Sequence, residues 1–426
     1  MRMFTSKHLL AISLSSILLT ACGGGSSDSS SNPEPVKPTP KPTETQQGRL
    51  VIANADPVRP LLSVYDLNEH KNINTTALTV VPTTMYSSPA YRYAVLLGRT
   101  DHVVSFVDGG IFDKNTVLQK DNPHLLAYKL TGAAPTHYRS FNGLATIFYD
   151  GNETESSKFE AFTDQDIEKQ SVAKQSLAKK HHGVAEPRGG YVLSTYLAPD
   201  SDLLSIVKSY ELHGDHFHVD QTLKNPCNKL HGANSNTDYA AFGCEDGILV
   251  VEQKGNQFID KKVLIDQRIS AIAGHQKLAK FAGFASGTGD LFIIDPKNLN
   301  ATSLNWAQGA KEADAKTPVK RLQHVFNTSG QFLVILDSTG TLHLIDTATW
   351  TVTTKLKVIE NVVPEELLKS RLVANASTDT IFINDTHAKK ILEIDLKALK
   401  VKQAIQLTDV PNTFTWVGVV NNSVNK

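Results

Sequence analysis

The chain is short of the things that mark several common classes of protein. It has 426 residues, 43 Lys+Arg against 43 Asp+Glu, and hence no excess charge of either sign. A nucleic-acid binder needs a basic field to hold phosphates, and a polybasic membrane-surface protein needs the same, so both classes are excluded. Only three cysteines are present, and none has the close Cys-x-x-Cys spacing of a thiolate zinc site. Beyond the N-terminus no segment is long and apolar enough to cross a bilayer as a helix. Helical periodicity is scarce too, with 362–372 the best helical stretch. The chemistry motifs are equally thin: there is no Gly-x-Ser-x-Gly elbow, no phosphate-cradling glycine loop and no His-Glu-x-x-His. What the chain does have is 15 histidines.

The N-terminus reads as an address. Arg2, Lys7 and His8 precede a short apolar run, Leu9 to Leu19, which closes in Leu19-Thr20-Ala21-Cys22. This is the pattern of a bacterial lipobox, so residues 1–21 are expected to be a cleaved signal and Cys22 the lipidated residue. Residues 22–48 are rich in Gly, Ser, Pro and Thr without apolar periodicity, which fits a disordered tether. Anchoring in the envelope follows, with the periplasmic face of the outer membrane favoured, since Gly23 is not a retention Asp. In that oxidising compartment Cys227 and Cys244, 17 residues apart, favour a disulfide over a metal pair.

Residues 49–426 read as one repeat array of short, alternating strands. The segments Leu62 to Asp66, Val104 to Asp108, Leu291 to Asp295, Leu342 to Asp346 and Ile391 to Asp395 share one form. Each Asp at their ends is a turn residue rather than a general acid. A sister strand precedes most of them, as in Leu50-Val-Ile-Ala-Asn and Phe332-Leu-Val-Ile-Leu. A unit of about 47 residues has the size of a four-stranded propeller blade. The expectation is therefore an all-β fold, a single propeller of about eight blades, with seven as the alternative. Closure is expected from pairing Trp416 to Val420 with the N-terminal strands, which removes a free edge. Inner strands are expected to start near Tyr91, His137, His182, His231, His275, His324, Leu372 and Thr415.

Five of those starts are histidines, with separations of 45, 49, 44 and 49. Equivalent positions on inner strands stand at one height around the channel, so His137, His182, His231, His275 and His324 are the expected metal ligands. Neutral imidazole is the commonest protein metal ligand, and three with an open fourth position is a familiar zinc arrangement. The competing reading makes these histidines turn residues of a metal-free scaffold for envelope interactions. A metal-dependent hydrolase or lactonase is weaker still, resting on fold analogy. No catalytic residues are assigned and the protein is read as a non-enzyme and a monomer. A second candidate cluster is Glu211-Leu-His213-Gly-Asp215-His216-Phe-His218, with His124 as a further candidate; His216 and His218 share one face of a strand.

Several stretches resemble the AztD-type periplasmic zinc metallochaperones: His181-His182-Gly-Val-Ala-Glu-Pro-Arg-Gly-Gly, Cys227-Asn-Lys-Leu-His231-Gly-Ala, Phe242-Gly-Cys244-Glu-Asp-Gly, and Pro135-Thr-His137 followed by Ile147-Phe-Tyr-Asp150-Gly. The resemblance implies a propeller that binds zinc and passes it to the solute-binding protein of a zinc ABC importer. It also implies that Cys227 and Cys244 are paired and that His182 and His231 belong to the metal site. Two departures stand out. Where the family carries an Asp-His-Gly-Asp-His loop, this chain reads Gln119-Lys-Asp-Asn-Pro-His124, leaving one histidine. The lipid anchor is the other.

Overall fold

The computed structural model describes residues 48–114, 117–310 and 316–420. The expected signal, lipidation site and tether therefore lie outside the described residues. Among those described, the strands form eight four-stranded antiparallel blades, numbered here in chain order. Within each blade the chain meanders outward from the channel. The repeated form ending in Asp is the third strand of its blade, as in Leu61–Asp66, Val103–Asp108 and Leu291–Asp295. Its Asp caps the next turn: Asp66 Oδ1 accepts the Asn68 and Glu69 amides, and Asp395 Oδ1 those of Lys397 and Ala398.

The blade layers explain the burial pattern. Second strands are covered on both faces by neighbouring blades, so Tyr93–Gly98 is buried at every position. Outermost strands have one wet face, so Thr351–Lys357 alternates exposed and half-buried. Cores fill the gaps between blades; Leu50, Phe382, Ile391 and Trp416 form one such cluster. Closure is made by Pro411–Gly418, which becomes the inner strand of blade 1 and pairs antiparallel with Gly48–Asn54, Leu50 opposite Trp416. Blade 1 thus draws its strands from both ends of the described residues, which closes the ring.

The remaining inner strands are Thr84–Ser87, Pro135–Phe141, Ala185–Arg188, Ala233–Ser235, Ile269–Ala273, Arg321–Phe326 and Leu372–Ala374, for blades 2 to 8. Two expected starts are displaced. Tyr91 lies in the turn after its inner strand, at φ 65°, packed edge-on to Trp416. His275 follows its inner strand rather than preceding it. The cause is a compact blade 5: its inner strand begins at Ala233 and the next at Ile269, 36 residues on. A constant step of about 47 overshoots there. The helical expectation over 362–372 shrinks to Pro364–Leu367, while a capped turn of helix at Asp164–Lys169 went unread.

Candidate metal centre at the channel mouth

His137, His182 and His231 come from three consecutive blades, 3, 4 and 5, and meet at the mouth where their inner strands begin. Their ligand atoms all lie within 4.8 Å of one another, and among the described residues they are the one group of three that does so. His137 Nε2 is 3.1 Å from His182 Nε2. Ring centroids are 4.8, 5.3 and 6.0 Å apart for the pairs 137–182, 182–231 and 137–231. Two nitrogens on a tetrahedral zinc at 2.0–2.1 Å stand roughly 3.3 Å apart, so the closest pair already has the right spacing.

Local structure aims each ring. The pairing of blade 3's first two strands slips between Pro135 and His137, and this bulge turns His137 inward. His182 sits in the loop before its inner strand, and its Nδ1 donates to Asp150 Oδ2 at 2.9 Å. Asp150 directly follows the second strand of blade 3, Leu144–Tyr149, and Arg99 Nη2 holds the same oxygen at 2.9 Å. His231 Nδ1 donates to the Ser270 carbonyl at 2.8 Å. Gly232 allows that approach: its φ is +74°, and a Cβ there would stand 2.7 Å from Ser270 O. With Nδ1–H committed in both rings, the Nε2 lone pairs are left to face the centre, the usual way a protein presents an imidazole to a metal.

The disulfide props this arrangement. Cys227 and Cys244 are bonded, with Cα atoms 4.9 Å apart and both side chains wholly buried. The bridge fixes the loop that carries His231 to the second strand of blade 5. Reciprocal bonds continue the clamp, His231 N to Gly243 O at 3.0 Å and Gly243 N to Gly232 O at 3.1 Å.

Burial favours the neutral form of two of the rings. Burial pushes His137 down to about 2, and Arg139, His182 and His231 reinforce the shift. Burial also lowers His231, against the opposing pull of the Ser270 carbonyl. A neutral imidazole is the ligand form. Asp150 Oδ1 is buried with no hydrogen-bond partner, an acceptor left over beside the triad. Buried acceptors are normally satisfied, so this oxygen points to a cation or water there.

The other expected ligands lie elsewhere. His324 sits inside the channel, its Nδ1 accepting from Arg321 Nη1 at 3.0 Å and its ring 4.6 Å from that of Phe284. Burial pushes it down to about 3. His275 stands at the opposite end, beside Asn142 and Gly143 in the far turn of blade 3, with Phe326 at 5.7 Å. Thus the expected ring of five is a triad plus two separate residues: His137 lies near the start of its inner strand and His182 and His231 just before theirs, whereas His275 follows the end of its strand and His324 lies deeper in its own. His181, next to His182, faces away; its nitrogens meet Lys179 O and Thr195 Oγ1 at 3.0 and 3.2 Å. Asp150, Arg99 and Ser270 went unread as site residues. Asp150 was visible only as part of the Phe-Tyr-Asp-Gly string.

The second cluster is also placed. Ile206–His213 and His216–Thr222 form the outer hairpin of blade 4, bringing His213, His216 and His218 together. His124 is not among them. It opens the outer strand of blade 2, His124–Thr131, and its Nδ1 meets Asn122 O at 3.3 Å.

The fold and site define a class: an eight-bladed propeller with a three-imidazole centre at one channel mouth. No family model matches the chain. Over its length it is similar to the zinc chaperone AztD of Citrobacter koseri, 23% identical across 425 residues, covering 97% of this chain and 93% of that protein. The structure of apo AztD from the same organism superposes with a TM-score of 0.70 at 22% identity, over 88% of this chain and 98% of that one. A further crystal structure of Citrobacter koseri AztD gives 0.72 at 21% identity, over 88% and 100%. These matches bear out the AztD-type resemblance and the propeller fold.

Proposed function

We propose that this protein is a zinc-binding propeller of the cell envelope that holds Zn2+ at the channel mouth and delivers it to the solute-binding protein of a zinc ABC importer. The observation that carries the reading is the triad itself: three imidazole ligand atoms within 4.8 Å, drawn from three blades. Similarity to a protein named a zinc chaperone supports the choice of cargo. Asp150 orients His182 as the outer carboxylate and offers Oδ1 to the centre or its water.

Holding and releasing are both served by this geometry. Three imidazole nitrogens hold the ion, and three protein ligands leave a fourth position open. The His182 side chain is 46% exposed, so an incoming partner ligand can reach the ion from the mouth. Release then proceeds by ligand exchange rather than by opening the fold. The proposal assigns the protein no reaction.

Residues 1–21 are the signal, Cys22 carries the lipid, and 22–48 tether the propeller on the periplasmic face, outer membrane favoured. Cys22→Ala should move the protein to the soluble fraction and abolish labelling by radioactive palmitate. For the site, elemental analysis of mature protein purified without added metal should find about one tightly held zinc. His182→Ala and His231→Ala should each lose it. Unchanged zinc content in both variants would overturn the assignment. Zinc-loaded protein mixed with the apo solute-binding protein should then transfer the ion faster than it escapes to a chelator.

A further inference from the structure

The outer hairpin of blade 4 repeats the logic of the channel centre on a different scaffold. Antiparallel register places Glu211 opposite His218 and His213 opposite His216. Directly opposed residues, and residues two apart on a strand, share a face. All four side chains therefore stand on one face of the hairpin tip. His216 Nε2 is 3.2 Å from His218 Nε2, against 3.1 Å for the closest pair in the channel. Asp215 Oδ1 takes His216 Nδ1 at 3.0 Å, as Asp150 takes His182 Nδ1 at 2.9 Å. In both places a carboxylate fixes the tautomer and turns an Nε2 lone pair toward a second imidazole.

The third imidazole is at hand. The His213 ring is 4.8 Å from that of His218 and 6.3 Å from that of His216. Its Nε2 lies 3.3 Å from Glu211 Oε2, whose partner oxygen Oε1 accepts the Tyr191 hydroxyl at 3.1 Å. A change of χ angles brings His213 onto an ion bound between His216 and His218, and such side chains, about half exposed, turn freely. The backbone beneath is fixed. The Lys174 amide of blade 3 donates to Asp215 O at 3.1 Å, and Lys174 pairs with His216 in a parallel bridge that joins the two blades.

We propose that this hairpin is a second divalent-metal site, with His213, His216 and His218 as ligands, Glu211 as an alternative oxygen ligand and Asp215 as the orienting carboxylate. The ligand class is a borderline first-row cation of the zinc type, for which imidazole is suited. It binds more weakly than the channel centre, because its rings are exposed and one must reorient. The site is separate from the channel mouth. The Leu212 amide bonds Gly190 O, in the turn at the far end of blade 4's inner strand, so the tip lies at the end opposite His182. The inference does not rest on the chaperone reading, since it uses none of the triad residues.

The test is a Zn2+ titration by calorimetry on metal-stripped mature protein, using wild type, His182→Ala/His231→Ala and His216→Ala/His218→Ala. Wild type should show a tight and a weaker equivalent. The channel variant should keep the weaker one. The hairpin variant should keep the tight one and lose the weaker, and Asp215→Asn should weaken that step by about 10–100-fold. Identical titrations of wild type and the hairpin variant, whether because the weaker equivalent is missing from both or survives in both, would overturn the proposal. Loss of the tight step alone in the channel variant bears only on the channel centre, so the two readings fail separately. The hairpin rings are exposed and outside the core, and unchanged thermal unfolding checks that the variant is folded.

Discussion

The two histidine clusters use nearly the same atoms at nearly the same spacings, and differ in what stands behind them. In the channel, three rings arrive from three blades, clamped by a carboxylate, a backbone carbonyl and a buried disulfide. On the hairpin, three rings arrive from six consecutive residues, clamped by one carboxylate whose side chain is 83% exposed. The first must be assembled by the whole fold. The second is written into local sequence and needs only a hairpin. Ordering costs are prepaid in the channel by folding, and on the hairpin they fall due at binding. This is why the same imidazoles should give a tight site in one place and a weak one in the other.

The largest expected effect removes a channel ligand. His231→Ala should weaken the tight zinc step by more than about 100-fold, since even orienting groups behind a ligand are worth 10–100-fold. His218→Ala should leave that step unmoved and weaken only the second. Equal losses at both sites from either variant would break the comparison.

Next in size is the prop. Cys227→Ser/Cys244→Ser removes a wholly buried bridge and should cost roughly 2–5 kcal/mol of unfolding stability by urea titration. It should also loosen the tight zinc step, because the bridge holds the His231 loop. The hairpin step should be indifferent to it. The outer carboxylates give a matched pair of smaller effects. Asp150→Asn should reduce the tight step by about 10–100-fold while leaving the weak one intact, as Asp215→Asn does the converse. Asp150 should matter more, since its Oδ2 is shared with Arg99 and its Oδ1 is buried without a partner.

The same contrast governs what could be read in the sequence. Closure of the propeller was legible because third strands ending in Asp recur and Trp416 sits in an apolar strand that has no blade of its own. The hairpin cluster was legible because period-two spacing places His216 and His218 on one face without any tertiary knowledge. The triad was legible only in part. His137, His182 and His231 share a phase, but blade 5 is short, so extrapolation carried the same step to His275 at the wrong end. His324 lies one residue too deep: the registers of blades 3 and 7 both slip, between Pro135 and His137 and between Arg321 and Gln323, so Gln323 takes the place of His137 and His324 that of Tyr138. Asp150 was out of reach because its partner is 32 residues away on the next blade. Nothing local distinguishes His182 from His181 except which way the loop turns.

The smallest effect tests the two histidines that the triad leaves out. Burial pushes His324 down to about 3 and His275 down to about 4. Each is neutral in the folded protein well below the ordinary histidine value near 6.5 that it regains on unfolding. Above about pH 6.5 both states are neutral and these residues add no pH dependence. Below it the unfolded chain takes up a proton that the folded chain refuses, so stability falls as the pH drops toward the folded value. Each contributes a slope of at most about 1.4 kcal/mol per pH unit. Metal-free protein should therefore lose stability between pH 6.5 and 4.5, and His324→Gln should flatten that slope while leaving both zinc steps unchanged. A zinc step that moved with His324→Gln would place the residue back among the ligands, and the channel centre would then have to extend below the mouth.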